Sequence, residues 1–191
     1  MATGKSGERR LQILQALAQM LEEPKGEKVT TAALARRLSL SEAALYRHFA
    51  SKAQMFEGLI EFIETSIFGV INQISEREKN GLSQAQAVSM LLLNFAERNP
   101  GMTRVMIGDA LVNENDRLQL RMNQFFDRIE LSLRQCLRLA ATQGQFREEA
   151  VAAASNLMMS YLIGKLFRFV KTQFRESPTG NMQKQINSIL C

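Results

Sequence analysis

Tyr46, Arg47, His48 and Phe49 stand side by side in the stretch VTTAALARRLSLSEAALYRHFASK, residues 29–52, with Lys52 close behind them. A phenol, a guanidinium, an imidazole and an ammonium gathered this closely suit a polyanionic partner better than acid–base catalysis. His48 is the only histidine, and neither a nucleophile nor a second ligand accompanies it in sequence. The chain carries no paired-carboxylate, nucleophile–base or phosphate-loop arrangement, so no enzymatic activity is expected. Cys136 and Cys191 lack metal or redox spacing. No metal or other cofactor is therefore expected, and a reduced, cytoplasmic setting fits.

Charge is concentrated on the same stretch. The formal net charge is +5, yet residues 28–52 hold Lys28, Arg36, Arg37, Arg47 and Lys52 against Glu42 alone, a local balance of +4. The remainder of the chain contributes only +1. A basic excess localised on one motif is the electrostatic footprint of nucleic-acid binding. The chain is otherwise that of a globular protein, with 46% hydrophobic and 23% charged residues. It contains no uncharged apolar run long enough to predict a membrane span, and MATGKSGERR lacks the apolar centre of an export signal.

Two short helices must position these groups. Thr30 or Thr31 caps the first, which runs to about Leu38 with Ala32, Ala35 and Leu38 facing inward. Ser39-Leu40 makes the turn. Ser41 caps the second, from Glu42 to about Phe49, with Glu42 complementing the helix dipole. Leu34, Leu38, Leu45 and Phe49 lock the pair together, giving a helix-turn-helix. Ser41, Glu42, Ala43, Ala44 and Arg47 are left to meet base edges, Arg47 foremost because guanidinium pairs bidentately with guanine. Tyr46, His48 and Lys52 stand where they reach phosphates. Thr30 and Thr31 offer hydroxyls and backbone N–H groups at a helix start.

The rest of the chain also reads as helix. Residues 8–22 place Leu11, Leu14, Leu17, Ala18 and Leu21 on one face, and Pro24 and Gly26 end that run. Ser51 caps a long fourth helix to Glu78, striped by Met55, Phe56, Leu59, Ile60, Ile63, Ile67, Val70, Ile71 and Ile74. A fifth spans about 84–98 and stops at Asn99-Pro100-Gly101, and a short one follows at about 102–110. Two long helices, about 114–143 and 148–174, precede a final short one at 181–190. The fold class is all-α: a three-helix DNA-binding head over residues 1–50 and a larger helical body over 51–191.

The two long helices predict a dimer. Leu118, Met122, Phe125 and Ile129 repeat along the first, and Val151, Met158, Leu162 and Phe169 along the second. Leu131, Leu137, Met159 and Ile163 are left over once each helix has buried one stripe in its own body, and Ala152, Ala153, Ser160 and Gly164 permit close approach. A self-complementary two-fold interface is the economical use of such faces, with intrachain core the alternative.

TTAALARRLSLSEAALYRHFASK resembles the DNA-binding signature of TetR-family regulators. LIEFIETSI, NFAERNPGMTR and NDRLQLRMNQFFDRIELSLRQ are similar, more narrowly, to the nucleoid occlusion members of that family, and the resemblance runs from about residue 8 to 175. It implies a cytoplasmic, nucleoid-associated homodimer that pairs through its last two long helices and sets two recognition helices on palindromic DNA. It further implies capture of the C-terminal tail of the division protein FtsZ, in a groove between the fourth and fifth helices. Phe62, Leu91, Asn94, Arg98 and Asn99 match that groove, although core packing explains Phe62 and Leu91 equally well. Val70 stands where an arginine is expected and Asn94 where a glycine is. A ligand-responsive transcriptional repressor is the alternative within the same family.

Overall fold

A computed structural model describes residues 3–23 and 29–190, with side chains from Gly7 onward. Pro24, Gly26, Lys28 and Cys191 lie outside the described residues. The described helices are α1 (Thr3–Glu22), α2 (Thr31–Arg37), α3 (Glu42–Tyr46), α4 (Lys52–Arg77), α5 (Gly81–Arg98), α6 (Pro100–Met106), α7 (Asp116–Thr142), α8 (Val151–Lys171) and α9 (Met182–Leu190). Among the described residues there is no strand. The all-α expectation holds.

Local chemistry explains the element ends. Thr30, Ser41, Ser51 and Asn80 each accept a backbone N–H of the following first turn, at 3.1, 3.1, 3.2 and 2.9 Å. At the end of α2, Leu40 N–H reaches the Ala35 carbonyl at 2.9 Å and Ser39 N–H the Arg36 carbonyl at 3.0 Å. This closure places Ser39 at φ 54°, a left-handed position normally given to glycine. Helix α3 stops at Tyr46, three residues short of the expected end. His48 and Phe49 then donate their N–H groups to the Leu45 carbonyl in a tight exit turn.

Helix α5 sits at the centre of the body, in contact with α4, α6, α7, α8 and α9. Ala85, Val88, Leu92 and Leu93 fill its buried face. Apolar packing is continuous into the head, where Leu17, Leu34, Leu45 and Phe49 join Met55, Phe56 and Leu59 of α4. Two glycines allow backbones to touch. A Cβ on Gly101 would lie 2.0 Å from the Ala18 carbonyl oxygen, so α1 rests directly on α6. A Cβ on Gly81 would lie 2.2 Å from the Ala140 nitrogen, seating the start of α5 on α7.

Several expectations shift. Ala33 and Leu34, rather than Ala32, face inward from α2; Ala32 is exposed. Val70 leaves the α4 stripe and is 38% exposed, because the helix is covered there on only one side. Helix α5 begins at Gly81, once Asn80 supplies the cap, and α6 begins at Pro100, where the missing N–H and fixed φ suit a first helical position. Helix α6 ends at Met106, and Gly108 follows at φ 79°.

The largest correction concerns α7 and α8. Leu118, Met122, Phe125, Ile129 and Leu162 are wholly buried within the single chain, and Val151, Met158 and Phe169 are at most 3% exposed. These eight are the chain's own core and have almost no surface left to give a partner. Leu137 and Met159 are buried as well, whereas Leu131 and Ile163 remain exposed. The strongest stripe of each helix turns inward onto α5. The segment Glu148–Lys171 is long and apolar enough to cross a membrane by composition, but its buried stripe packs on α5 and α7.

Candidate nucleic-acid interface

The recognition surface is assembled from α2 and α3 with α1 behind them. Leu34, Leu45 and Phe49 are at most 1% exposed and fix the crossing of the two helices. With those side chains turned inward, Ser41, Glu42, Ala43, Tyr46 and Arg47 are exposed, while Ala44 and His48 are half-buried at the edge. Thr30 is exposed beside the half-buried Thr31.

Hydrogen bonds order this surface further. Thr31 Oγ1 donates to Glu42 Oε2 at 2.8 Å, and the Tyr46 hydroxyl lies 3.5 Å from Thr31 Oγ1. The network spans the turn and aims the Glu42 carboxylate, an acceptor suited to the exocyclic amine of cytosine. Ser41 Oγ is occupied as an acceptor by its cap bond but keeps its proton to donate. Arg47 is exposed at the end of α3, as Arg36 is on α2, and its guanidinium is accessible to a nucleic acid.

Sequence reasoning passed over one residue. The Arg10 guanidinium of α1 lies 4.1 Å from the centroid of the Phe49 ring and also donates to the His48 carbonyl oxygen. It clamps the exit of α3 from behind, combining cation–π attraction with a charge-assisted bond to the helix end. The ERR run at residues 8–10 was the available signal, but nothing in its spacing names Phe49.

Lys52 is also engaged. Its Nζ lies 2.5 Å from Glu114 Oε1, in the connection between α6 and α7, and 5.6 Å from the Phe56 ring centroid. Further along α4, Glu57 pairs with Arg117 at 2.7 Å. Glu64 accepts both Arg121 Nε and an Arg121 terminal nitrogen, at 3.2 and 2.6 Å. That hydrogen bond, opposed by burial and helped by neighbouring carboxylates, raises the Arg121 pKa. Arg128 then lies 3.8 Å from the Phe68 ring centroid. The partner numbers climb together, so α4 and α7 run in the same direction, joined by a ladder of charged contacts.

A second seam joins α1 to the body. Arg104 donates to the Leu21 carbonyl at 3.0 Å and to Asp109 at 2.7 Å, and Lys171 reaches Asp109 at 3.1 Å. Burial works to raise the Asp109 pKa, but the hydrogen bonds from Arg104 and Lys171 outweigh it and hold the carboxyl below its ordinary value. A cavity of about 210 Å³ opens beside this network, with Phe174 and Val170 on its wall.

On the α4–α5 face, Phe62 is 44% exposed, Leu91 half-buried, and Arg98 exposed at the last residue of α5. Asn94 and Asn99 each donate a side-chain amide to the carbonyl four residues earlier, at 2.8 Å. Their amides are committed to α5 itself. The apolar surface left open on α7 and α8 is not made of the eight side chains expected at a dimer interface. Leu157, Ile163 and Phe167 of α8 are exposed, with Ala153, Ser160 and Gly164 on the same side, and Leu131 is exposed on α7.

Comparison with known proteins agrees with this geometry. Residues 13–59 match the bacterial regulatory proteins of the tetR family, and residues 79–190 match a tetracyclin repressor-like C-terminal domain of SlmA-like type. The chain is 55% identical over 180 residues to the nucleoid occlusion factor SlmA of Idiomarina loihiensis, covering 93% of this chain and 91% of that one. It is 50% identical over 190 residues to that of Vibrio cholerae, covering 96% and 95%. Among solved structures, the TetR family regulator PfmR from Thermus thermophilus superposes with a TM-score of 0.77 at 24% identity, over 93% of this chain and 96% of that one. A similarity that spans both the head and the body, at half identity, shows that the chain belongs to the TetR family and, within it, to the SlmA group of nucleoid occlusion factors.

Proposed function

We propose that this protein is a homodimeric, non-enzymatic nucleoid occlusion factor that binds palindromic DNA and antagonises assembly of the FtsZ division ring over the chromosome. One observation carries the reading: the match to SlmA relatives extends through the body, residues 79–190, and not only through the DNA-binding head. The head is what TetR-type regulators of every kind share. The body is where a partner or ligand is met.

In this reading Arg47, Glu42 and Ser41 read base edges, while Thr30, Thr31, Tyr46, His48 and Lys52 hold phosphates. The exposed row on α8, from Ala153 through Leu157, Ser160 and Gly164 to Phe167, pairs with its own copy across a two-fold axis. Two recognition helices then face successive major grooves, about 34–36 Å apart. The FtsZ tail lies on the α4–α5 face, with Phe62 and Leu91 as apolar contacts and Arg98 as its charge partner. Asn94 and Asn99 shape that face through α5 rather than by direct bonding. The protein acts in the cytoplasm, on the nucleoid.

Mapping binding sites across the chromosome tests the role. Dispersed palindromes that avoid the replication terminus support it, and a few promoter sites would indicate a transcriptional repressor instead. A peptide of the FtsZ C-terminus should bind the DNA-bound protein and lose affinity on Arg98→Ala. No peptide binding would remove FtsZ from the reading.

A further inference from the structure

Lys52 and Glu114 are sixty-two residues apart, Lys52 at the border of the head and Glu114 well inside the body. Their side chains are only 25% and 16% exposed, so this is among the less solvent-screened ion pairs of the molecule. Lys52 is the first residue of α4, directly after the Ser51 cap and next to the exit of α3. Glu114 ends a turn-rich connection between α6 and α7 that holds Gly108 and Asn113 at positive φ, 79° and 66°. The connection is stitched by short-range bonds such as Leu111 N–H to the Gly108 carbonyl and Glu114 N–H to the Leu111 carbonyl. Such a segment can rearrange without breaking a helix.

We infer that Glu114 competes with DNA phosphate for Lys52, so that a carboxylate of the body sets how tightly the head holds DNA. This rests on the DNA-binding reading of the head. An ammonium has one compact charge, and a half-buried carboxylate already at 2.5 Å occupies it as a phosphate oxygen would. When Lys52 turns to a phosphate, Glu114 is left without that partner in a poorly hydrated place. DNA binding therefore works against the body's own ion pair, and the 107–115 connection is loosened when DNA is bound. Glu57–Arg117 and Glu64–Arg121 lie further from the head and hold the rest of α4 to α7. The release is thus confined to the first rung of the ladder.

The test uses the full chain and a duplex carrying a palindrome selected from genomic fragments. Glu114→Gln, which keeps the shape and removes the charge, should tighten binding about three- to tenfold, the range of a partly screened pair. Lys52→Gln should weaken binding, and Glu114→Gln added to Lys52→Gln should give no gain. In the unaltered protein, hydrogen exchange across 107–115 should speed up when the duplex is added. Weaker binding by Glu114→Gln would show that Glu114 positions Lys52 for phosphate and would overturn the competition. So would an equal gain with and without Lys52, no effect of Lys52→Gln, or slower exchange of 107–115 on DNA. If the unaltered protein selects no duplex at all, the DNA-binding reading fails with it; if it selects one and Glu114→Gln binds it unchanged, only the competition fails.

Discussion

Leu157 and Met158 are neighbours on α8 with opposite surroundings, and charging each should have opposite consequences. Leu157 is 54% exposed on the free face, whereas Met158 is 1% exposed in the core. Full burial of a leucine side chain stabilises by about 1.5–3 kcal/mol, so the exposed half of Leu157 has about 1–1.5 kcal/mol left to contribute. A two-fold interface counts it twice, giving about 2–3 kcal/mol, or about 30- to 150-fold in dimer dissociation constant. Leu157→Glu forfeits that and adds the cost of facing two carboxylates across the axis, so the figure is a lower bound. The expected product is a folded monomer, seen by sedimentation velocity over a concentration series together with an unchanged helical circular dichroism spectrum. Met158→Glu should instead unfold the chain, since it puts an unpaired charge among core side chains. Phe125→Glu should do the same. A Leu157→Glu protein that dimerises as tightly as the original would remove α8 from the interface. Unfolding of both neighbours alike would show that the free face is structural.

Ser39→Gly should stabilise the protein by about 0.5–1 kcal/mol in urea titration, because Ser39 is held at φ 54° where a side chain is disfavoured. Gly101→Ala should destabilise by at least about 1–3 kcal/mol, since its Cβ would sit 2.0 Å from the Ala18 carbonyl oxygen and neither backbone can yield cheaply. The same variant should bind DNA more weakly once α1 is pushed off α6. Asp109 has a depressed pKa in the folded protein, so its contribution to stability is present above the ordinary value of 3.8 and is lost as pH falls through the folded value. Asp109→Asn should therefore lower stability near neutral pH and flatten its decline in acid, measured as unfolding free energy against pH. Burial raises the Cys136 thiol to about 11. In a Cys191→Ser background it should resist a thiol reagent at pH 8 until the chain is unfolded.

The features legible from sequence were those decided within a turn of helix. Thr30, Ser41 and Ser51 announce themselves as caps because the hydroxyl needs only a backbone N–H a few residues away. The stripes Met55 to Ile67 and Leu118 to Leu133 repeat at helical spacing whatever covers them. What covers them is a different matter. Periodicity finds a stripe but cannot say whether it meets α5 of the same chain or α8 of another, and the eight side chains expected at a dimer interface proved to be core. The free face was legible only in part: Ala153, Ser160 and Gly164 stood out as small residues and Ile163 as a surplus apolar one, but Leu157 and Phe167, widely spaced between them, did not. The site shows the same division. The exposed side of α3 follows from its buried side, but Thr31 with Glu42, Arg10 with Phe49 and Lys52 with Glu114 join separate elements. No local pattern encodes those meetings.

The contacts along α4 bear on how the head and body communicate. A ligand that worked by swinging α4 to spread the heads would have to break its hold on α7 at Glu57, Glu64 and Phe68, and on the connection before α7 at Lys52. Partly exposed pairs of this kind contribute about 0.3–1 kcal/mol each, so freeing the whole ladder costs about 1–4 kcal/mol. A ligand would have to prefer the swung state by at least that margin, from about 5-fold up to several hundredfold. DNA needs no such swing. It can take Lys52 from Glu114 while Glu57, Glu64 and Phe68 keep their partners, leaving the α4–α5 face where it was. A ladder that yields at its first rung and holds at the rest suits a head that anchors and a body that presents a surface, the arrangement that the proposed function calls for.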